Sequence, residues 1–164
     1  MNNLVNWLKS RPRKRPATGI IIHATGGSTA TGAIQWLRQI GLSYHYVIDK
    51  DGAVTKCVPL SRVAFHAGES LGWDGENCNE YTIGIALANR NDGEDPYPWV
   101  QINALEGLVR DLRARLALTH ITSHYAVAPT RKTDPRSLPV GQGSILWGLK
   151  TWKPNNLSGW IYKK

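Results

Sequence analysis

Two histidines stand where short apolar runs end, and both are candidate metal ligands. His23 follows the run 20–22 and precedes a glycine-rich loop, and His124 follows the run 121–123 and opens a segment that reaches Asp134. Strand ends at one edge of an α/β sheet are where ligands gather. Two imidazoles and one carboxylate, with one coordination position open, form a common catalytic zinc set. The spacing matches no His-Glu-x-x-His or Cys-x-x-Cys pattern, so a structural role for each histidine stays open.

The surrounding sequence predicts strands that alternate with helices. The predicted strands are 20–22, 44–48, 53–58, 82–87 and 121–123, the predicted helices are 33–40 and 100–118, and surface loops are predicted at 66–80 and 91–98. Asp51 and Gly52 form a typical hairpin turn, and Gly41 follows the first helix as a C-terminal glycine does. This alternation favours an α/β fold in which helices pack on a sheet.

Composition limits the classes of protein and partner. The chain has 164 residues, of which 41% are hydrophobic and 20% charged, as in a soluble globular domain. Its net charge of +8 makes nucleic acid, anionic membrane and acidic cell-wall polymer candidate partners. A membrane span needs about 18 or more consecutive apolar residues, and since no such run occurs we expect no membrane insertion. Cys57 and Cys78 do not form a disulfide framework, and we expect both to be reduced.

The two ends of the chain carry the least interpretable sequence. Residues 1–17 predict a basic lead-in, amphipathic or mobile, that Pro12 and Pro16 interrupt. Its apolar residues precede the basic run 11–15, which is the reverse of a secretory signal, so we expect synthesis in the cytoplasm. Residues 136–164 form a tryptophan-rich segment that we assign to the same single domain, residues 1–164, without a secondary-structure prediction.

Five blocks of sequence carry a resemblance to a known family. They are Ile21–His23, Ser43–Gly52, Ala64–Gly68, Thr82–Ile85, and His124 with Ala128–Pro135. Together they resemble the type-2 N-acetylmuramoyl-L-alanine amidases, which include small phage lysins, cell-wall recycling amidases and animal peptidoglycan-recognition proteins. The blocks occur in the family's order between about residues 20 and 135. The resemblance implies a central mixed β-sheet flanked by helices.

The resemblance also implies roles for single residues. His23, His124 and Asp134 fall on the family's metal ligands, and the implied cofactor is Zn²⁺. Lys132 falls on a lysine that stabilises the negative charge of the tetrahedral intermediate, as a fixed cation can. His66 lies in a block that borders the family's substrate groove, so a substrate contact is predicted for it.

The chain departs from many bacterial members at Ala86, where they carry the glutamate that serves as general base. Alanine cannot transfer a proton. In one interpretation the chain resembles the members that lack this glutamate and place a tyrosine near the water, and Tyr44 falls on that position. In the other, Ala86 impairs catalysis, and the chain binds its substrate without cutting it well. Glu80 is a nearby carboxylate that we expect to be an exposed loop residue.

These observations predict a monomeric zinc enzyme that hydrolyses the amide between N-acetylmuramic acid and L-alanine in peptidoglycan. The main prediction is a phage-type endolysin that acts on the cell wall after release. The alternatives are a cytosolic amidase that recycles muropeptides and a catalytically impaired peptidoglycan-binding form. A nucleic-acid binder is a third class that the basic run suggests, but no base-reading motif supports specific nucleic-acid binding.

Overall fold

The computed structural model describes residues 8–139 and 149–152. Its strands are β1 (Ser10–Pro12), β2 (Gly19–Ala24), β3 (Tyr46–Ile48), β4 (Val54–Lys56), β5 (Arg62–Ala64), β6 (Leu71–Gly72), β7 (Gly75–Glu76), β8 (Thr82–Leu87), β9 (His120–Ser123) and β10 (Lys150–Thr151). Its helices are α1 (Ala30–Ile40), α2 (Trp99–Arg115) and the short α3 (His124–Val127), and Cys78–Glu80 forms a 3-10 turn.

The main sheet has the strand order β10-β9-β2-β8-β3-β4. Neighbouring strands from β10 to β3 are parallel, and β4 is antiparallel to β3. The central strands β2 and β8 are buried at every residue, as expected for apolar strands covered on both faces. The prediction of a mixed sheet flanked by helices is confirmed.

Side-chain alternation along β2 separates the main hydrophobic core from a second face. Ile20 and Ile22 pack in the cluster that includes the buried face of α2. Ile21 belongs to a different cluster, which includes Ala67, and His23 lies two residues further along the same face. The candidate chemistry is therefore placed on the face opposite α2, at the carboxyl end of a central parallel strand.

Both long predicted helices are confirmed, with shifted ends. The Thr29 side chain accepts a hydrogen bond from the backbone N–H of Gly32 and begins α1, and Gly41 ends that helix at φ 68°, a left-handed conformation that favours glycine. Helix α2 begins at Trp99 and ends at Arg115, three residues before the predicted end. Among the described residues, no helix combines the length and apolar character needed to cross a membrane.

The described part of the N-terminal segment is not a mobile lead-in, because it pairs with the rest of the domain. Strand β1 pairs antiparallel with β5, and Leu8 is buried. The Arg13 guanidinium donates hydrogen bonds to the backbone carbonyls of Leu60, Glu80, Arg62 and Thr82 at 2.8–3.2 Å. Arg15 pairs with Asp74 at 2.7 Å. The basic run therefore attaches this segment to the domain, and residues 1–7 lie outside the described part.

The prediction of a surface loop over residues 66–80 is wrong for part of this stretch, although residues 68–69 and 74–77 are exposed. Ala67, Cys78 and Asn79 in this stretch are buried, and β6 pairs with β7 as a small hairpin. Abundant Gly, Asn and charged residues suggested exposure, but the few apolar residues among them pack under the sheet face that carries His23. This stretch therefore forms one wall of the candidate site.

The C-terminal segment is described at 136–139 and 149–152. There β10 pairs in parallel with β9, and Thr122 Oγ1 donates to the backbone carbonyl of Trp152 at 2.8 Å. This pairing supports the assignment of the segment to the same domain, which stays a prediction. Trp147 and Trp160 lie outside the described residues.

Candidate metal centre

His23, His124 and Asp134 meet in a buried cluster whose ligand atoms lie within 4.8 Å of one another. The Nδ1 atoms of His23 and His124 are 3.0 Å apart. Asp134 Oδ2 lies 3.4 Å from His23 Nδ1 and 3.2 Å from His124 Nδ1. A tetrahedron with metal–ligand bonds of about 2.0–2.1 Å has edges of roughly 3.3–3.4 Å. The donor types and their spacing therefore fit a tetrahedral zinc site with these three ligands.

Three separate parts of the chain place these side chains. His23 lies near the carboxyl end of β2. His124 begins α3 directly after β9, and Ser123 caps that helix by accepting a hydrogen bond from the backbone N–H of Ala126. The segment after α3 returns to this helix, where the Asp134 carbonyl accepts a hydrogen bond from the N–H of Tyr125 at 2.9 Å. Because β9 and β2 are adjacent parallel strands, their carboxyl ends bring the two histidines together.

The protonation states of the cluster suit metal binding. Burial and repulsion from His124 lower the pKa of His23 to about 4, so this ring is neutral at pH 7. Burial alone would raise the pKa of Asp134, but hydrogen bonds with His124 and His23 outweigh it and hold the pKa below its ordinary value. A neutral imidazole and an ionised carboxylate are the forms that coordinate metal.

His66 packs behind His23 rather than beside an open surface. The residue is 6% exposed, its Nδ1 lies 3.0 Å from His23 Nε2, and its Nε2 lies 3.3 Å from Thr82 Oγ1. Gly84 on β8 passes directly beneath the ring, since a Cβ at Gly84 would lie 2.5 Å from His66 Cγ. The substrate contact predicted for His66 stays a prediction, but little of the ring is available for one.

Tyr44 and Lys132 lie on the same side of the sheet as the cluster. The Tyr44 and His23 rings have centroids 4.9 Å apart, and Tyr44 is half-buried. Burial, followed by the nearby Asp134 carboxylate, raises the pKa of Tyr44. Lys132 is half-buried and close enough for its charge to lower the pKa of His23. The structure therefore brings a neutral phenol and an ammonium group to the predicted metal ligands.

The family model of the N-acetylmuramoyl-L-alanine amidases, Amidase_2, matches residues 13–137, which is well over half of the chain. The chain belongs to this amidase family. The AmpD protein of Enterobacter cloacae, a 1,6-anhydro-N-acetylmuramyl-L-alanine amidase, is 37% identical over 103 residues, which are 60% of this chain and 53% of the relative. AmiD of Escherichia coli, an N-acetylmuramoyl-L-alanine amidase, is 28% identical over 149 residues, which are 81% of this chain and 54% of the relative.

Solved structures agree with the family. AmiD from E. coli, in complex with the substrate anhydro-N-acetylmuramic acid-L-Ala-D-gamma-Glu-L-Lys, superposes with a TM-score of 0.73 at 26% identity and covers 90% of this chain and 64% of its own. The Ph2119 endolysin from a Thermus scotoductus bacteriophage shares the fold, with a TM-score of 0.63 at 22% identity over 85% of this chain and 90% of its own. The chain spans about half the length of the curated relatives it matches.

Within this amidase fold, Ala86 lies beside the first predicted metal ligand. It pairs in register with His23 on one side and with Val47 on the other, and paired residues of neighbouring strands share a face. Ala86 is fully buried, and its methyl group offers no proton-transfer function. Glu80 does not replace the missing carboxylate here, because it forms an ion pair with Arg11.

Sequence reasoning did not identify the contacts of the residues that lie behind the candidate metal centre. His45 is fully buried, and its Nδ1 accepts a hydrogen bond from the N–H of Gly84 at 3.0 Å. The neutral ring must then carry its proton on Nε2 and donate it to the Arg62 carbonyl, 3.1 Å away. Burial, together with the charge of Arg13, lowers the pKa of His45 to about 3. The alternation of side chains along a strand indicates that such a residue points into the interior, but it does not indicate which atoms the side chain contacts.

Proposed function

We propose that this protein is a zinc-dependent amidase that hydrolyses the bond between the lactyl group of N-acetylmuramic acid and L-alanine. The observation that carries the proposal is the buried cluster of His23, His124 and Asp134, whose spacing fits a tetrahedral site. Membership of the amidase family supports the reaction. Because the chain covers only about half of its curated relatives, activity and substrate are assigned here as proposals.

The three ligands would hold the zinc ion and leave one position open. Zinc at this site supplies Lewis acidity, which polarises a scissile carbonyl and acidifies water. Lys132 places a fixed positive charge near the cluster, and that charge stabilises the oxyanion that develops as the amide carbonyl is attacked. Since burial raises the pKa of Tyr44, its phenol keeps the proton at neutral pH. Tyr44 therefore acts as a hydrogen-bond donor that orients water or intermediate.

The alanine at position 86 limits the rate that we expect. A positioned general base contributes about 10²–10⁴-fold to a rate, and Ala86 cannot supply this contribution. The second candidate function, a peptidoglycan-binding form with impaired catalysis, follows from the same observation: the methyl group adjoins His23 in the sheet. Both candidates keep the metal site, and turnover separates them.

The substrate that we propose is a soluble muropeptide, the alternative to the cell wall on which an endolysin acts. The relatives named 1,6-anhydro-N-acetylmuramyl-L-alanine amidases support this choice, and so does the likeness to AmiD with a bound anhydromuropeptide. A 1,6-anhydro bond occupies the C1 atom through which the next sugar would be attached, so such a sugar is a chain end. Bacteriolytic action after release receives no such support, because the endolysin likeness reports fold alone.

The test compares two substrates, purified intact peptidoglycan and an anhydromuramoyl tripeptide, with products identified by mass spectrometry. The proposal expects free stem peptides with N-terminal alanine from the tripeptide substrate, loss of product on chelation, and restoration by zinc. Asp134→Asn is the inactive control, and Arg110→Gln on the exposed face of α2 is the matched control that keeps activity. Product from both substrates at similar rates would favour the endolysin. Saturable binding without product, by a zinc-loaded protein, would favour the recognition form.

A further inference from the structure

The dipeptide His66–Ala67 contacts the Nε2 atoms of both predicted metal ligands, His23 and His124. We call these the outer nitrogens. His66 Nδ1 lies 3.0 Å from His23 Nε2, and the Ala67 carbonyl lies 3.1 Å from His124 Nε2. The inner nitrogens of the two histidines are the Nδ1 atoms, which face each other across the cluster. Each candidate ligand thus has one nitrogen directed at the metal position and one directed at this dipeptide.

The donor and acceptor of each hydrogen bond can be assigned in turn, beginning from the Cys78 carbonyl. Thr82 Oγ1 lies 2.6 Å from the Cys78 carbonyl, which can only accept, so the hydroxyl proton is used there. Thr82 Oγ1 must then accept from His66 Nε2–H at 3.3 Å. A neutral imidazole has one N–H, so His66 Nδ1 accepts and His23 Nε2–H donates to it. His23 Nδ1 is left without a proton, facing the metal position.

The same argument applies to the second histidine. The Ala67 carbonyl can only accept, so His124 Nε2 donates to it and the Nδ1 lone pair is free. The dipeptide itself is fixed on both sides. Asn79 Oδ1 accepts from the backbone N–H groups of His66 and Ala67 at 3.0 and 2.8 Å, and Arg131 donates to the Ala67 carbonyl at 2.7 Å. The buried side-chain amide of Asn79 and the guanidinium of Arg131 therefore hold the dipeptide, and with it its two hydrogen-bond acceptors, in place.

We propose that His66 is a positioning residue that fixes the tautomer and ring orientation of His23, rather than a residue that touches substrate. The inference rests on the proposed metal site. Partners of this kind orient metal-ligating histidines, and their loss typically costs about 10–100-fold in metal affinity or activity. We expect loss of the His66 acceptor to weaken zinc binding by that factor, without a separate effect on substrate affinity.

The first experiment measures zinc affinity by competition with a chromophoric chelator, with folding checked by circular dichroism. His66→Phe keeps a ring but removes the acceptor, and His66→Asn keeps an acceptor oxygen near the Nδ1 position. His120→Phe is the matched control, because His120 stacks on Trp73 away from the ligand cluster. The proposal expects a 10–100-fold loss for His66→Phe, a recovery to within about threefold of wild type for His66→Asn, and no change for His120→Phe.

The second experiment does not depend on any variant. Long-range ¹⁵N–¹H correlation spectra of the zinc-loaded wild type assign the protonated nitrogen of each ring. The proposal expects Nε2–H on both His23 and His66, and a His66 ring that carries its proton on Nδ1 would overturn it. Unchanged zinc affinity in folded His66→Phe with a raised KM would also overturn it, in favour of a substrate contact. A wild-type protein that binds no zinc would refute the proposed function, and the inference would fail with it.

Discussion

Replacement of Gly84 by alanine tests the packing that places His66. The new Cβ would lie 2.5 Å from Cγ, 2.7 Å from Cδ2 and 2.8 Å from Nδ1 of the His66 ring. These atoms belong to the base of a buried ring and not to the end of a flexible side chain. The ring is also hydrogen-bonded to His23 and Thr82. The clash must therefore be relieved by movement of the ring or of β8.

We expect Gly84→Ala to lower the free energy of unfolding by about 1–3 kcal/mol, the range for overpacking in a well-packed interior. For a domain of this size each kcal/mol corresponds to roughly 2–4 °C in melting temperature. The matched control is Gly107→Ala in the middle of α2, where an added Cβ meets nothing within 4 Å. That change should raise stability by roughly 0.5–1 kcal/mol, because alanine replaces glycine in a helix.

The assay is urea unfolding of both variants and wild type, followed by tryptophan fluorescence and far-ultraviolet circular dichroism. Equal slopes against urea would show that the variants differ in stability and not in the extent of unfolding. Zinc affinity measured on the same samples should fall for Gly84→Ala and stay constant for Gly107→Ala. A Gly84→Ala protein with wild-type stability and wild-type zinc affinity would refute the placement of the His66 ring against β8.

Three further predictions concern other parts of the domain. Arg13→Met should lower the free energy of unfolding by more than about 3 kcal/mol, since it leaves several backbone carbonyls without their donor. The control Arg110→Met, on the exposed side of α2, should change the free energy of unfolding by less than about 0.5 kcal/mol. Equal urea midpoints for the two variants would contradict the anchoring role of Arg13. Burial lowers the pKa of the His45 ring from 6.5 to about 3, so between these two pH values the unfolded chain binds more protons than the folded chain. The contribution of this ring to stability is therefore fully present above pH 6.5 and is lost as the pH falls towards about 3. This group should contribute up to about 1.4 kcal/mol per pH unit, and a His45→Gln protein whose stability shows the same slope against pH would refute the assignment. Tyr44→Phe and Lys132→Met should each lower kcat by about 10²-fold or more with zinc affinity unchanged; wild-type turnover in either variant would remove that residue from the proposed mechanism.

The strands that carry the site could be predicted from local sequence. The run 82–87 coincides with β8, because a predominantly apolar run of this length is typical of a strand buried on both faces. The ends of the runs 20–22 and 121–123 predicted that His23 and His124 lie at strand ends, and the structure adds that these two strands are neighbours. The structure brings both close to Asp134, as the resemblance implied.

The residues behind the ligands could not be predicted, because their roles depend on contacts distant in sequence. Arg13 lies in a proline-containing basic run that is typical of a solvated tail, yet its carbonyl partners lie 47 to 69 residues away. Asn79 lies in a stretch whose composition indicates a surface loop, and its buried amide binds a backbone 12 residues earlier. Gly84 is one of sixteen glycines, and only the position of a ring from another segment explains it. Composition and periodicity carry no information about such pairings.

The outermost strands of the main sheet have a consequence for self-association. A sheet edge exposes unpaired N–H and C=O groups that can pair with another chain, and natural sheets limit this with very short edge strands and lysine. One edge of the described sheet is β10, which has two residues and includes Lys150. The other is β4, which has three residues and includes Lys56. Both edges therefore resist the addition of a foreign strand, so concentrated protein should keep its central strands out of intermolecular β-aggregates.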